Sequence, residues 1–146
     1  YIGLNERLID INYIANLYGA KSNVDFEVQG ALNDFSRKNF KGTIDFKKGA
    51  KKAEGNENES CMLLSNKAKS KSLPMLLCSE EDVVGNHSNS AGKINESQLF
   101  YLLSRGFDKK EALKLMVKAK FYNILENIND EKLKSEIIDQ IDKKLS

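Results

Sequence analysis

The chain has 146 residues, 40% of them apolar and 30% charged, and its 23 Lys and Arg against 21 Asp and Glu leave a formal net charge of +2. That composition is globular rather than disordered, sufficient for a domain with a real core, and so even a charge balance makes no case for a nucleic-acid partner. No stretch approaches the roughly 18 apolar residues of a membrane span and no signal peptide opens the chain, so a cytoplasmic protein without membrane contact is expected.

Residues 9–17 place Ile9, Ile11, Tyr13, Ala15 and Leu17 on one side of a period-two pattern, which predicts a half-buried strand. The pattern returns at Val24, Phe26 and Val28, and again at Ile44 and Phe46. Two apolar runs, residues 61–64 and 75–78, are expected to be strands buried on both faces. Gly19, Gly30, Gly42, Gly49, Gly55, Pro74 and Gly85 punctuate the series as bends and turns. Many short strands with irregular turns suit a sandwich, a barrel or a β-solenoid. The absence of Asn-Gly and Asp-Gly hairpin signals favours a wound, parallel arrangement.

After Ile94 the period changes to that of helices. Asn95 with Gln98 three residues on has the spacing of a helix cap, Leu99, Leu102 and Leu103 form a stripe, and Gly106 is a stop. Asp108 with Glu111 caps a second helix carrying Leu113, Met116, Val117, Phe121, Ile124, Leu125 and Ile128. Asn129-Asp130 interrupts, and a third helix carries Leu133, Ile137, Ile138, Ile141 and Leu145. The expected division is thus residues 1–93, a β region, and residues 94–146, a small helical domain that must lean on the β region or on a partner. The opening at Tyr1, without Met and already within an apolar pattern, suggests a piece of a longer protein.

Few residues carry chemistry on their own. Lys47, Lys48, Lys51 and Lys52, near Arg37, Lys38 and Lys41, form a basic stretch without interleaved aromatics, and Glu54, Glu57 and Glu59 follow at once. Solvated turns are the simplest reading of the whole segment. Glu80-Glu81-Asp82 reads as an exposed turn, His87 by itself as a surface or edge histidine, and Cys61 and Cys78 as buried, inert thiols. Two cysteines and one histidine fit neither a disulfide scaffold nor a structural zinc site. No P-loop, Gly-x-Ser-x-Gly elbow or His-Glu-x-x-His occurs, so the chain does not read as an enzyme.

The stretch Asn95-Glu96-Ser97-Gln98-Leu99-Phe100-Tyr101-Leu102-Leu103-Ser104-Arg105-Gly106 resembles the signature of the SufB/SufD family, scaffold proteins of the Suf iron–sulfur cluster assembly system. Phe40-Lys41-Gly42-Thr43-Ile44, Leu63-Leu64-Ser65-Asn66-Lys67-Ala68 and Gly92-Lys93-Ile94 resemble further family pieces in the same order. The resemblance implies a right-handed parallel β-helix, of which residues 1–93 are a part, followed by a helical C-terminal domain. It implies a non-catalytic scaffold pairing with a SufB/SufD-like subunit or a second copy, and binding a SufC-like ATPase through its C-terminal helices. Carried over by position, Phe100, Tyr101, Ser104, Arg105 and Gly106 mark the ATPase-facing segment, while His87 matches the family's interface histidine. It is the candidate metal ligand for iron or an iron–sulfur cluster shared between subunits, the chain alone holding no cofactor. By analogy the helices transmit ATPase movement to the interface. Ser88 stands where SufB-like chains have Glu, Gly85 where SufD-like chains have Cys, and Glu59 where SufB-like chains have their cluster-linked cysteine. The chain therefore resembles SufD more than SufB. A stand-alone β-solenoid interaction module without an iron–sulfur role is the alternative.

Overall fold

A computed structural model describes residues 1–145. Seven strands come first: β1 (Ile2–Gly3), β2 (Leu8–Leu17), β3 (Asn23–Leu32), β4 (Arg37–Phe46), β5 (Ala53–Leu63), β6 (Lys69–Cys78) and β7 (Val83–Lys93). Three helices follow: α1 (Glu96–Ser104), α2 (Lys109–Glu126) and α3 (Glu131–Lys144). Odd strands form one sheet in the order β1-β3-β5-β7 and even strands a second in the order β2-β4-β6. Every pairing is parallel. The chain therefore passes from one sheet to the other at each corner and returns one layer higher, a parallel β-solenoid of about three turns capped in sequence by three helices. One turn carries Leu8 onto Arg37 and Arg37 onto Lys69 without a break in register.

The period-two pattern is what selects this arrangement. Leu17, Ile44, Phe46, Ala50 and Ala53 are buried together between the sheets, with Val24, Phe26, Leu76 and Val83 packed around them. At about 25 cal/mol per Å² of apolar surface removed from water, each large side chain there contributes roughly 1.5–3 kcal/mol. The corners stack as the strands do. Lys21 N–H donates to Lys51 O (2.8 Å), and Lys52 N–H donates to Asp82 O (2.5 Å). The basic run thus lies on exposed turns, where Gly49 N–H donates to Glu80 Oε2 at 3.1 Å.

The helices lean on one sheet only. Ala31 on the outer side of β3 is buried with Val117 of α2 and Ile141 of α3, and Ile2, Met62, Leu64, Phe121 and Ile137 surround them. The outer face of the other sheet has no such cover, which corrects the expectation for residues 75–78. Met75 and Leu77 on the outer face are exposed, Leu76 on the inner face is partly buried against the core, and Cys78, on the inner face by register, is exposed at the strand end. Cys61, by contrast, is buried as expected. Among the described residues no helix is long and apolar enough to cross a membrane.

Candidate functional site

Register assigns each inward-facing side chain to a layer. The first layer is apolar: Ile9, Ile11, Tyr13, Ala15 and Leu17 face Val24, Phe26 and Val28. The second places Lys38, Phe40, Gly42, Ile44 and Phe46 opposite Ala53, Gly55, Glu57, Glu59 and Cys61. The third, on β6 and β7, is polar over much of its length, with Ser70, Ser72 and Pro74 on one wall and His87 and Asn89 on the other. The chain turns into α1 after β7, so this last layer forms an open end.

Glu57 and Glu59 are not the solvated residues that their surroundings in sequence suggest, and neither is Lys38. Lys38 and Glu59 form an ion pair at 2.6 Å with both side chains essentially inaccessible. Lys38 Nζ also donates to Ser72 Oγ (2.8 Å), Ser72 Oγ donates to Glu59 Oε2 (2.5 Å), and Tyr1 OH donates to Glu59 Oε1 (2.7 Å). Burial and the neighbouring Cys61 and Glu59 push the Tyr1 phenol well above its ordinary range. This closed network satisfies its charges internally, as a buried pair must.

Glu57 is different. Its residue is 2% exposed, yet neither carboxylate oxygen has a hydrogen-bond partner. Burial pushes its carboxyl above the usual range, the charge of Glu59 adds to this, and His87 and Asn89 on β7 pull the other way. The carboxylate reaches across the interior to Gly42, where a Cβ would stand 2.1 Å from Oε2. His87 is the register partner of Glu57 on the next strand, and it is exposed at the open end. An imidazole and a carboxylate on adjacent strands are suitable donors for a transition metal, though not a complete set. Among the described residues no group of three or more His, Cys, Asp and Glu side chains gathers as a metal cluster would require.

The second candidate surface is α1. Asn95 caps it by accepting from Gln98 N–H (3.1 Å), and Gly106 at φ +93° takes the left-handed conformation that closes it. No residue of the helix is buried. Phe100 is 72% and Tyr101 56% exposed, and Leu103 and Phe107 extend the apolar patch. Ser104 Oγ donates to Tyr101 O at 2.7 Å and the Arg105 guanidinium lies 5.1 Å from the Tyr101 ring centre, so Tyr101, Ser104 and Arg105 form one local unit. The structure therefore brings Phe100, Tyr101, Ser104, Arg105 and Gly106 together on one short helix and its cap, and places His87 on β7. Lys38, Glu57 and Glu59 escaped sequence reasoning. Their one available signal was alternation: three inward positions of β5 are Glu57, Glu59 and Cys61, in step with the inward positions of neighbouring strands.

A parallel β-solenoid with an open polar end and a trailing helical unit is the class of molecule that these elements define. The family model described as SUF system FeS cluster assembly, SufBD core domain, matches residues 1–120, and the chain belongs to that family. It is 31% identical over 116 residues to the iron–sulfur cluster assembly protein SufD of Bacillus subtilis, covering 80% of this chain and 26% of that protein. It is 29% identical over 114 residues to SufD of Escherichia coli, covering 78% and 27% respectively. A SufBD family protein of Pyrococcus horikoshii is 37% identical over 79 residues, 54% of this chain and 18% of that protein. The chain thus spans about a quarter of the length of the two SufD proteins. The likeness to them supports the SufD-like reading of the chain, with Gly85 a departure from the SufD pattern.

Proposed function

We propose that this chain acts as a non-catalytic, SufD-like scaffold subunit. It pairs through the open end of the solenoid with a SufB/SufD-type subunit or a second copy, and it docks a SufC-type ATPase on α1. The cluster is cargo at the subunit interface, with His87 presented towards it, and the work is mechanical: movement of the ATPase reaches the solenoid through α1 and the α2–α3 pair seated on β3. The observation that carries this reading is α1 itself. A helix with no buried side chain that exposes Phe100, Tyr101 and Leu103 together is stable surface only when something covers it.

Co-purification of the chain with a SufC-type ATPase tests the assignment. Wild type should be retained and Arg105→Glu released, because the substitution reverses the charge beside Tyr101 while the cap at Gly106 stays intact. Equal retention of both proteins would remove α1 as the docking surface. A second reading, an interaction module with no iron–sulfur role, is favoured by Ser88 beside His87 and by Glu59, already neutralised by Lys38, at the SufB cysteine position. Anaerobic reconstitution with iron and sulfide, in the presence of a SufB-type partner, separates the two. A visible absorbance that disappears in His87→Ala supports the scaffold, and its absence in wild type supports the module.

A further inference from the structure

Four acidic or basic side chains are buried in the solenoid: Lys38, Asp45, Glu57 and Glu59. Lys38 and Glu59 neutralise each other, and Asp45 is paired with Lys47 at 2.5 Å. Glu57 forms no ion pair and its oxygens have no hydrogen-bond partner, the favourable influence on it coming from His87 and Asn89 of the open layer. A buried carboxylate left bare is among the costlier arrangements a fold can keep. The surrounding positions nonetheless make room for it. Gly42 opposite has no side chain, and any Cβ there would collide with the carboxylate. Glu59, two residues along the same wall, has both oxygens engaged by Lys38, Ser72 and Tyr1.

The layer above Glu57 belongs to β7, about 4.8 Å away along the hydrogen-bonding direction. In register with Glu57, and so on the same face of the sheet, stands His87, exposed at the open end. We propose that Glu57 and His87 together bind one divalent transition-metal cation, Glu57 supplying a carboxylate oxygen from below and His87 an imidazole nitrogen from above. Water, or the subunit that closes the open end, fills the remaining positions. The proposal rests on the reading of the His87 end as the iron-bearing face, and adds to it a donor from inside the fold. Carboxylate with imidazole is a donor pair that ferrous iron and its neighbours in the first transition row accept. The cation would neutralise a buried carboxylate whose oxygens have no hydrogen-bond partner within the fold, which gives the burial of Glu57 a reason to exist.

The test uses the full chain and Co²⁺ as probe, followed by calorimetric titration and by the melting temperature with and without the ion. Wild type should bind one Co²⁺ and melt higher in its presence. Glu57→Gln and His87→Ala should each weaken binding by about tenfold or more. Without metal, Glu57→Gln should melt at or above wild type, because it removes an unpaired charge, whereas a residue with a purely structural role would lose stability. Gly42→Ala keeps both donors and crowds the carboxylate. It should weaken Co²⁺ binding as well, and it carries the test if Glu57→Gln melts far below wild type. Wild-type affinity in Glu57→Gln combined with lost affinity in His87→Ala overturns Glu57 as a donor while leaving the scaffold reading intact. No binding by wild type overturns the pair altogether. Binding that depends on both residues, in a chain that neither docks the ATPase nor supports cluster reconstitution, keeps the cation site and removes the scaffold role.

Discussion

Lys38 and Glu59 show how much a single side chain inside the solenoid can decide. A buried ion pair of this kind adds little to stability until one member is removed. Lys38→Met should cost about 3–5 kcal/mol, since Glu59 is then left charged and enclosed. The double variant Lys38→Met with Glu59→Leu should recover part of that loss. Denaturant unfolding of the three proteins measures both. On the surface the effects are smaller and depend on pH. The Gly49 N–H that Glu80 accepts holds its carboxyl below the ordinary range. A carboxyl depressed in the folded state binds fewer protons there than in the unfolded chain. Its contribution is therefore present above the ordinary carboxylate range and lost as the pH falls through the folded value. Melting curves of Glu80→Gln and wild type should converge in acid and separate towards neutrality, with wild type the more stable. Along the chain only alternation in step with Cys61 marks Glu57 as inward, because both faces of this stretch are polar and a two-residue period looks the same whichever side is buried.

At the scale of elements, the helices were far more legible than the strands. Asp108 and Glu111 form a reciprocal capping box, Glu111 N–H donating to Asp108 Oδ1 at 2.8 Å and Asp108 N–H to Glu111 Oε2 at 3.2 Å. Asp130 caps α3 in a similar way, accepting from Lys132 and Leu133 N–H. Such signals are local, so sequence suffices to find them. Asp108→Ala should lower stability by about 1 kcal/mol, readable as a fall in helical circular-dichroism melting temperature. The strands are longer than their apolar patterns suggest. β5 runs from Ala53 to Leu63 through Glu-Gly-Asn-Glu-Asn-Glu-Ser, a composition that argues for a loop by propensity. It is a strand because β3 and β7 flank it on both sides and satisfy its backbone, a tertiary cause that no local pattern records. The corners hold strain of the opposite kind. Lys21 (φ 59°) and Lys52 (φ 57°) occupy the left-handed region that glycine adopts freely. Lys52→Gly should therefore stabilise the chain by about 0.5 kcal/mol in denaturant unfolding, the relief of strain slightly exceeding the entropy given back to the unfolded chain.

Across the whole molecule, protection is distributed unevenly. β4 and β5 have a strand on either side, whereas β6 and β7 each have one free edge and α1 has no buried residue. Native-state hydrogen exchange should find the slowest amides in β4 and β5 and the fastest in β7 and α1. Equal protection of β4 and β7 would mean that the free edge is covered in solution. The parallel winding follows from the missing hairpin turns together with period-two faces, and both are visible in the chain. Which sheet the helices cover is not, because Ala31, Met62 and Leu64 differ in no obvious way from Leu73, Met75 and Leu77 on the uncovered sheet.

Stacked corners also govern how such a chain tolerates changes of length. The turns near residues 18–22, 47–52 and 79–82 lie one above another at the margin of the stack, and they differ in length while the strands they join stay in step. A residue inserted at one of these bends merely enlarges a bulge into solvent. The same insertion between Ala53 and Leu63 would invert every downstream side chain as far as the next bend, evicting Glu59 from Lys38 and bringing outward residues into the interior. Indels in related chains should accordingly gather at the margins, where a lengthened bend leaves the ladder unbroken.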